Sequence, residues 1–245
     1  MTWRRIVAAL PTITLAELDV QASLQTRVDR KYVVDGDTWA SVLTDHAREL
    51  RALEIDGLRV ARYRSLYYDT PALDSYHAAA HRRPRRFKVR VREYSDTGAA
   101  AVEVKLRSAR GHTVKHRMWL DGSATDADVV AFAGTFPLVA PHAAQLTAAL
   151  ETTYARVTLL HAQGRITVDQ DVQAADDAGT RLDYGTALIV ETKSAGAAGP
   201  IDRALWARGI RPARLSKYAT SLAALHPELP ANRWHRTLRR HLATA

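Results

Sequence analysis

Twelve lysines and arginines lie between residues 82 and 117, against three acids. This segment nets +9, which equals the formal charge of the whole 245-residue chain. Its charges are ordered. Phe87-Lys88-Val89-Arg90-Val91-Arg92 and Val102-Glu103-Val104-Lys105-Leu106-Arg107 alternate strictly, and Thr113 to Leu120 alternates more loosely around Lys115 and Arg117. A period of two puts successive side chains on opposite faces of a strand. Of the eight charges this gathers on one face, only Glu103 is negative. Like charges on opposed strands repel, so such a face is comfortable only when an anion sits on it. Guanidinium groups grip phosphate oxygens in pairs and ammonium groups act as point charges. The chemistry suggested is therefore the binding of a polyanion such as a phosphate chain.

The elements that must carry these residues can be read around them. Ser95-Asp96-Thr97-Gly98 and Ala109-Arg110-Gly111-His112 have turn chemistry, so 87–120 is expected to be a three-stranded antiparallel meander. Further strands are expected at 27–34, 62–68, 154–159, 165–169 and 188–193, with a hairpin turn near Gln163-Gly164. Nearly all of these strands carry a lysine or arginine at an alternating position. About eight such strands, charged on one face and apolar on the other, predict an α+β protein. Its core is an antiparallel β-barrel tunnel, closed or nearly so, with a basic lumen and helices packed outside. Helices are expected at 37–53, 126–133, 142–150 and 201–208. Ser216 is expected to cap another that runs to about Leu225. A basic tail at 231–245 carries Trp234, Leu238 and Leu242 on one stripe of a further helix and reads as docked on the surface. Residues 173–186 read as a flexible loop.

The length fits a single domain over 1–245, with a core of about 12–235 and neither repeat nor linker. The chain has no cysteine, which excludes thiolate chemistry and a disulfide framework. No apolar run approaches the roughly 20 residues of a membrane span, so a cytoplasmic location is expected, with membrane association only through a partner protein. Asp69-Thr70-Pro71 reads as a structural turn. His77 and His81 have metal-compatible spacing but lack a third ligand. Arg82, Arg83, Arg85 and Arg86 are expected in a loop at a tunnel mouth.

Eight short motifs, taken in order, resemble a known family. They are Arg27-x-Asp29-x-Lys31-Tyr32, Tyr68-Asp69-Thr70-Pro71, Lys88-x-Arg90-x-Arg92-x-Tyr94, Glu103-x-Lys105, Lys115-x-Arg117, Arg165-x-Thr167-x-Asp169, Glu191-Thr192-Lys193-Ser194 and Ser216-Lys217-Tyr218. Over about 12–235 the chain resembles the VTC domain, the polyphosphate polymerase domain of the vacuolar transporter chaperone. That domain belongs to the triphosphate tunnel metalloenzymes, related to the CYTH proteins. The resemblance implies a basic tunnel that binds ATP and polyphosphate or triphosphate with Mn²⁺ or Mg²⁺, and transfer of the γ-phosphate of ATP onto a polyphosphate chain. By this resemblance Arg90, Arg92, Lys105, Arg165 and Lys217 are the catalytic candidates. Lys31, Lys88, Lys115, Arg117, Arg156, Tyr154, Lys193 and Ser216 are the further phosphate ligands. Glu191 is the first metal candidate and Glu103 the second, although Glu103 could instead be an ion-pair partner of neighbouring arginines. Asp169 and Asp171 could orient Arg165 or bind metal. Position 27 is arginine where the CYTH relatives carry a metal-binding glutamate, which argues against CYTH-type hydrolysis or cyclisation.

Three alternatives stay open. One is a tripolyphosphatase or nucleoside triphosphatase. Another is a non-catalytic module that holds polyphosphate or inositol phosphates. The third is nucleic-acid binding, with Tyr63, Tyr67 and Tyr68 as a stacking platform. Against the third, Phe87 lies on the strand face opposite the arginines, whereas a platform would need its aromatics beside them.

Overall fold

A computed structural model of the chain describes residues 1–21 and 28–242. Arg27 of the first motif and the last three residues of the tail lie outside the described residues. The strands are β1 (Thr12–Ile13), β2 (Val28–Val34), β3 (Arg51–Leu53), β4 (Val60–Asp69), β5 (Arg86–Tyr94), β6 (Ala99–Arg107), β7 (Thr113–Leu120), β8 (Thr147–His161), β9 (Gly164–Asp176), β10 (Arg181–Asp183) and β11 (Leu188–Ser194). The helices are α1 (Trp3–Ala9), α2 (Leu15–Gln21), α3 (Gly36–His46), α4 (Asp74–Ala80), α5 (Asp126–Gly134), α6 (Ala140–Ala143), α7 (Pro200–Ala207), α8 (Lys217–Leu225) and α9 (His235–Thr237). The chain divides into two compact units. The first comprises Met1–Ala61, Tyr154–Val172 and Tyr184–Arg214; the second comprises Arg62–Thr153, Gln173–Asp183 and Leu215–Ala245.

In the first unit the strand order is β2-β11-β9-β8, antiparallel, with β3 added along β8 and β1 parallel to β3. Alternation sends Tyr32, Val34, Val157, Leu159, Ile166, Val168, Leu188 and Val190 into one core, where α1, α3 and α7 supply Trp3, Ile6, Trp39, Leu43 and Leu205. Asp35 caps α3 by accepting from the Thr38 amide at 2.7 Å. In the second unit the order is β8-β4-β5-β6-β7. Val89, Val91, Val102 and Val104 there face a core completed by Val129 and Ala133 of α5 and by Val139 and Leu146. Each unit is thus a sheet with helices on its apolar face, and the charged alternate residues point the other way.

The α+β class, the large antiparallel sheet and the covering helices agree with the sequence reading. Among the described residues eleven strands form, and eight of them make the main path. That path ends at β2 and at β7, so among the described residues it is open rather than a closed ring. Lys115 and Arg117 stand exposed on β7, the charged edge that discourages further pairing.

Several boundaries differ from expectation. The helix expected over 37–53 ends at His46. After one tight turn, Arg51–Leu53 is a strand with buried Ala52, pairing with β8 on one side, while on the β1 side the Ala52 amide donates to the Pro11 carbonyl at 2.8 Å. The helix expected over 142–150 is only the short α6. From Thr147 the chain is strand, with Leu150, Thr152 and Tyr154 buried at alternate positions, and this pattern overrides the helical propensity of its alanines, leucine and glutamate. The loop expected over 173–186 is mostly a hairpin. In it β10 pairs with the end of β9, and Gly179 (φ +83°) makes the turn. The tail forms a short α9 and one turn of π-helix at Leu238–Leu242, and it is docked through buried Trp234 and Leu242.

Candidate functional site

The second unit carries the denser charge. On β5, β6 and β7 the register sets Lys88 opposite Lys105 and Lys105 opposite Lys115. One step along, Arg90 faces Glu103 and Glu103 faces Arg117; at the next, Arg92 faces Ala101. Tyr67 of β4 lies opposite Arg90. Three lysines in one row would repel in an empty sheet. Glu103 moderates the neighbouring row. It is 2% exposed and accepts from Arg90 Nε at 2.8 Å, Arg117 Nε at 2.9 Å and Lys115 Nζ at 3.2 Å. Burial alone would raise its pKa, but Arg90, Arg92 and Lys115 outweigh that and hold the carboxyl well below its ordinary range. The surrounding strands desolvate Lys115 in part, although its side chain is 44% exposed, and with Arg117 and Arg90 adding to this against the pull of Glu103 its pKa falls to about 8. Exposure is graded across the face. Arg92 is buried, Lys88 and Arg90 are half-buried, and Lys105, Lys115 and Arg117 are exposed.

Helix α8 adds to this face. Ser216 caps it, accepting from the Ala219 amide at 3.3 Å, and the same hydroxyl accepts from Lys88 Nζ at 2.7 Å. Tyr218 stacks on Tyr67 with ring centroids 5.3 Å apart, and the Lys88 ammonium lies 5.9 Å from the Tyr67 ring and 5.6 Å from the Tyr218 ring. Burial pushes the Tyr67 phenol up, but Arg90, Arg92 and Lys217 more than reverse this, so its net shift is downward. The Tyr218 hydroxyl donates to Asp69 Oδ2 at 2.5 Å. Asp69 also accepts from the amides of Thr70, Ser75 and Tyr76. It therefore fixes the β4–α4 turn, as its motif suggests, and ties that turn to α8.

The first unit carries a mixed face. Lys31 lies opposite Glu191, and Glu191 lies opposite Thr167; Asp29, Lys193 and Arg165 form the adjacent row. Glu191 pairs with Lys193 at short range and with Lys31 at 3.8 Å. Burial opposes its ionisation, yet Lys31, Lys193 and Arg156 outweigh it, so the carboxyl is held well below its ordinary range. Burial lowers Lys193 to about 8 against the pull of Glu191. Arg156 grips Asp169 with two bonds, at 2.5 and 2.8 Å, and lies 5.3 Å over the buried Tyr154 ring. Asp169 therefore orients Arg156, where the sequence reading considers Arg165. Asp171 is exposed and pairs with Arg4 at 3.8 Å.

A divalent cation needs hard oxygens, and one or two carboxylates suffice when substrate phosphates complete the shell. Among the described residues no cluster of three His, Cys, Asp or Glu could hold an ion unaided. The Glu191 carboxylate, fully ionised among cations that can also turn to phosphate, fits a metal held partly by substrate oxygens. Glu103 fits the ion-pair reading better, because Arg90, Lys115 and Arg117 all hydrogen-bond to its two oxygens, whereas Glu191 Oε2 meets Lys31 at the longer 3.8 Å. His77 and His81 only stack, at 5.9 Å.

The sequence reading offered Tyr63 and Tyr67 only as a nucleic-acid platform, carried Tyr94 only within a motif and did not single out Trp119. Tyr63, Tyr67, Tyr94 and Trp119 lie on the arginine face: Tyr67 opposite Arg90, Tyr63 opposite Tyr94, and Trp119 two residues beyond Arg117. The argument from Phe87 against a stacking platform therefore falls. Simple alternation, Arg92 to Tyr94 and Arg117 to Trp119, would have revealed two of the four.

Comparison with known proteins now bears on this geometry. Residues 26–129 match the VTC domain. The VTC match contains β2 to β7, hence Lys31 and the whole Lys88–Arg117 face, whereas Arg156, Arg165, Glu191, Lys193 and Lys217 lie beyond it. No curated protein matches the chain. Among solved structures, a candidate adenylate cyclase from Bacillus halodurans is 14% identical, with a TM-score of 0.50 over 78% of this chain and 94% of that one. A candidate adenylyl cyclase from Hippeastrum, described as having a dominant triphosphatase activity, is 14% identical, with a TM-score of 0.51 over 84% and 99%. At these identities the likeness is one of fold. Among the described residues no helix is long and apolar enough to cross a membrane.

Proposed function

We propose that this protein is a metal-dependent phosphotransferase of the polyphosphate polymerase type, moving the γ-phosphoryl group of ATP onto a polyphosphate end. The observation that carries this reading is the row Lys88–Lys105–Lys115 beside Arg90, Arg92 and Arg117, with Glu103 as the one acid among them. Phosphoryl transfer asks for positioning and charge neutralisation more than covalent help. In the proposed step a terminal polyphosphate oxygen bonds to the γ-phosphorus, the bond to the β–γ bridging oxygen breaks, and ADP leaves. Arg90 and Arg92, held by neighbouring strands, bind equatorial oxygens. Lys88, fixed by Ser216, and Lys105, Lys115 and Lys217 bind adjoining phosphates. The first unit offers a phosphate-binding face of its own in Lys31, Arg156, Arg165 and Lys193, where Glu191 would hold a divalent cation together with phosphate oxygens. When bound, the cation neutralises phosphate charge.

The test is incubation of purified protein with ATP and Mn²⁺ or Mg²⁺, following both polymer and free phosphate. Growth of polyphosphate with release of ADP is expected, and Glu191→Ala should abolish it while leaving the circular dichroism spectrum unchanged. Phosphate release without chain growth would replace this reading with a triphosphatase, the activity described for the Hippeastrum protein of similar fold. Binding without turnover under every metal would leave a storage or sensing module.

A further inference from the structure

At one end of the second unit's basic face the side chains change from cations to rings. Tyr63 of β4 and Tyr94 of β5 meet edge to face at 5.2 Å, and Tyr94 meets Trp119 of β7 at 5.5 Å. The strand between them, β6, offers only Ala99 and Ala101 at these positions, opposite Tyr94 and Trp119. Rings from β5 and β7 can therefore lean across β6 and touch. Arg92 lies 5.1 Å over Tyr63, and Arg117 lies 4.8 Å over Trp119, joining the aromatic end to the cation rows.

If these rings served only to cover the two alanines, the largest of them should be buried in doing so. Trp119 is instead 57% exposed. An exposed tryptophan that stacks on an arginine, two residues from a phosphate-binding row, is what a flat aromatic ligand with an anionic tail would need. Alternate residues on a strand are spaced by about 7 Å. From Trp119 through Arg117 to Lys115 the face thus runs about 13 Å, a span suited to a base followed by a ribose and phosphates.

We propose that Trp119, with Tyr94 and Tyr63 behind it, is a nucleobase-stacking subsite that makes the basic face of β5–β7 select a nucleoside triphosphate over inorganic tripolyphosphate. This rests on the reading that the same face binds phosphate chains. The base stacks on the indole, the triphosphate extends toward Lys115 and Lys88, and Arg117, held by Glu103, stands between ring and phosphates. Stacking is tolerant of base identity because every base has a π-face, so adenine and guanine nucleotides should bind alike.

The experiment is titration of the full chain with ATP and, separately, with tripolyphosphate, each with equimolar Mg²⁺, by calorimetry. In the wild type ATP should bind more tightly than its phosphate chain alone explains. Trp119→Ala should lower the ratio of ATP to tripolyphosphate affinity by about tenfold, the size of one base–aromatic stack. Trp119→Phe, which retains a ring, should recover most of that ratio and guards against a folding artefact. An unchanged ratio in Trp119→Ala, with tripolyphosphate still bound, would overturn the subsite and leave the phosphate reading standing. Failure of the wild type to bind either ligand would overturn both. An oligoribonucleotide without a terminal phosphate losing as much affinity as ATP on Trp119→Ala would also overturn the proposal, in favour of an RNA platform.

Discussion

Glu103 is the residue on which the balance of the basic face turns. Three cations meet on a carboxylate that is 2% exposed. Removing one partner of a buried ion pair leaves charge uncompensated and typically costs about 3–5 kcal/mol. Glu103→Gln keeps the shape and loses the charge, so it should destabilise the protein by about 3 kcal/mol at pH 7 in urea unfolding. The pH dependence has a definite sign. The folded carboxyl titrates below its ordinary value of 4.5, so its stabilisation is complete above the unfolded pKa and is lost as pH falls through the folded one. The gap between wild type and Glu103→Gln should therefore narrow as pH drops below about 4.5. A gap that stays constant down to pH 3 would mean that Glu103 contributes through shape rather than charge.

At the scale of elements, the β8–β9 hairpin depends on one position. Gly164 has φ +147°, and a Cβ there would lie 2.0 Å from the Lys193 carbonyl oxygen. A methyl group cannot fit against backbone at that distance, so β9 must separate from β11. Gly164→Ala should lower the melting temperature sharply, whereas Gly179→Ala, with open space around it, should cost only the strain of a positive φ. Similar losses in both variants would show that packing against Lys193 does not hold the hairpin. The sequence announced this hairpin and its turn, and it announced the meander, because alternation with turn residues is a local signal. It did not announce the strand of β8 before Tyr154. There, Ala148, Ala149, Leu150 and Glu151 favour a helix, and only burial on the sheet decides otherwise. The charged candidates were legible because each sits at an alternating position. Tyr218 and Asp69 were not legible as partners, since 149 residues separate them and only tertiary packing brings them together.

For the whole molecule, the positive charge is arranged, not spread. In each unit helices cover one sheet face, and the other face collects lysine and arginine from strands distant in sequence. The row Lys88–Lys105–Lys115 has a practical consequence. A protein that keeps ammonium groups in register stores a debt of repulsion that any polyvalent anion in solution relieves, and a ligand that binds only the folded state raises its stability. The counter-ion of the medium is therefore a hidden variable in every preparation. At matched ionic strength the melting temperature should be higher in phosphate or tripolyphosphate than in chloride, and Lys105→Ala should shrink that difference. Equal melting temperatures in all three would show that the row is already neutralised from within. Purification in chloride alone withholds every polyvalent anion, so instability met at the bench would reflect the solvent as much as the chain.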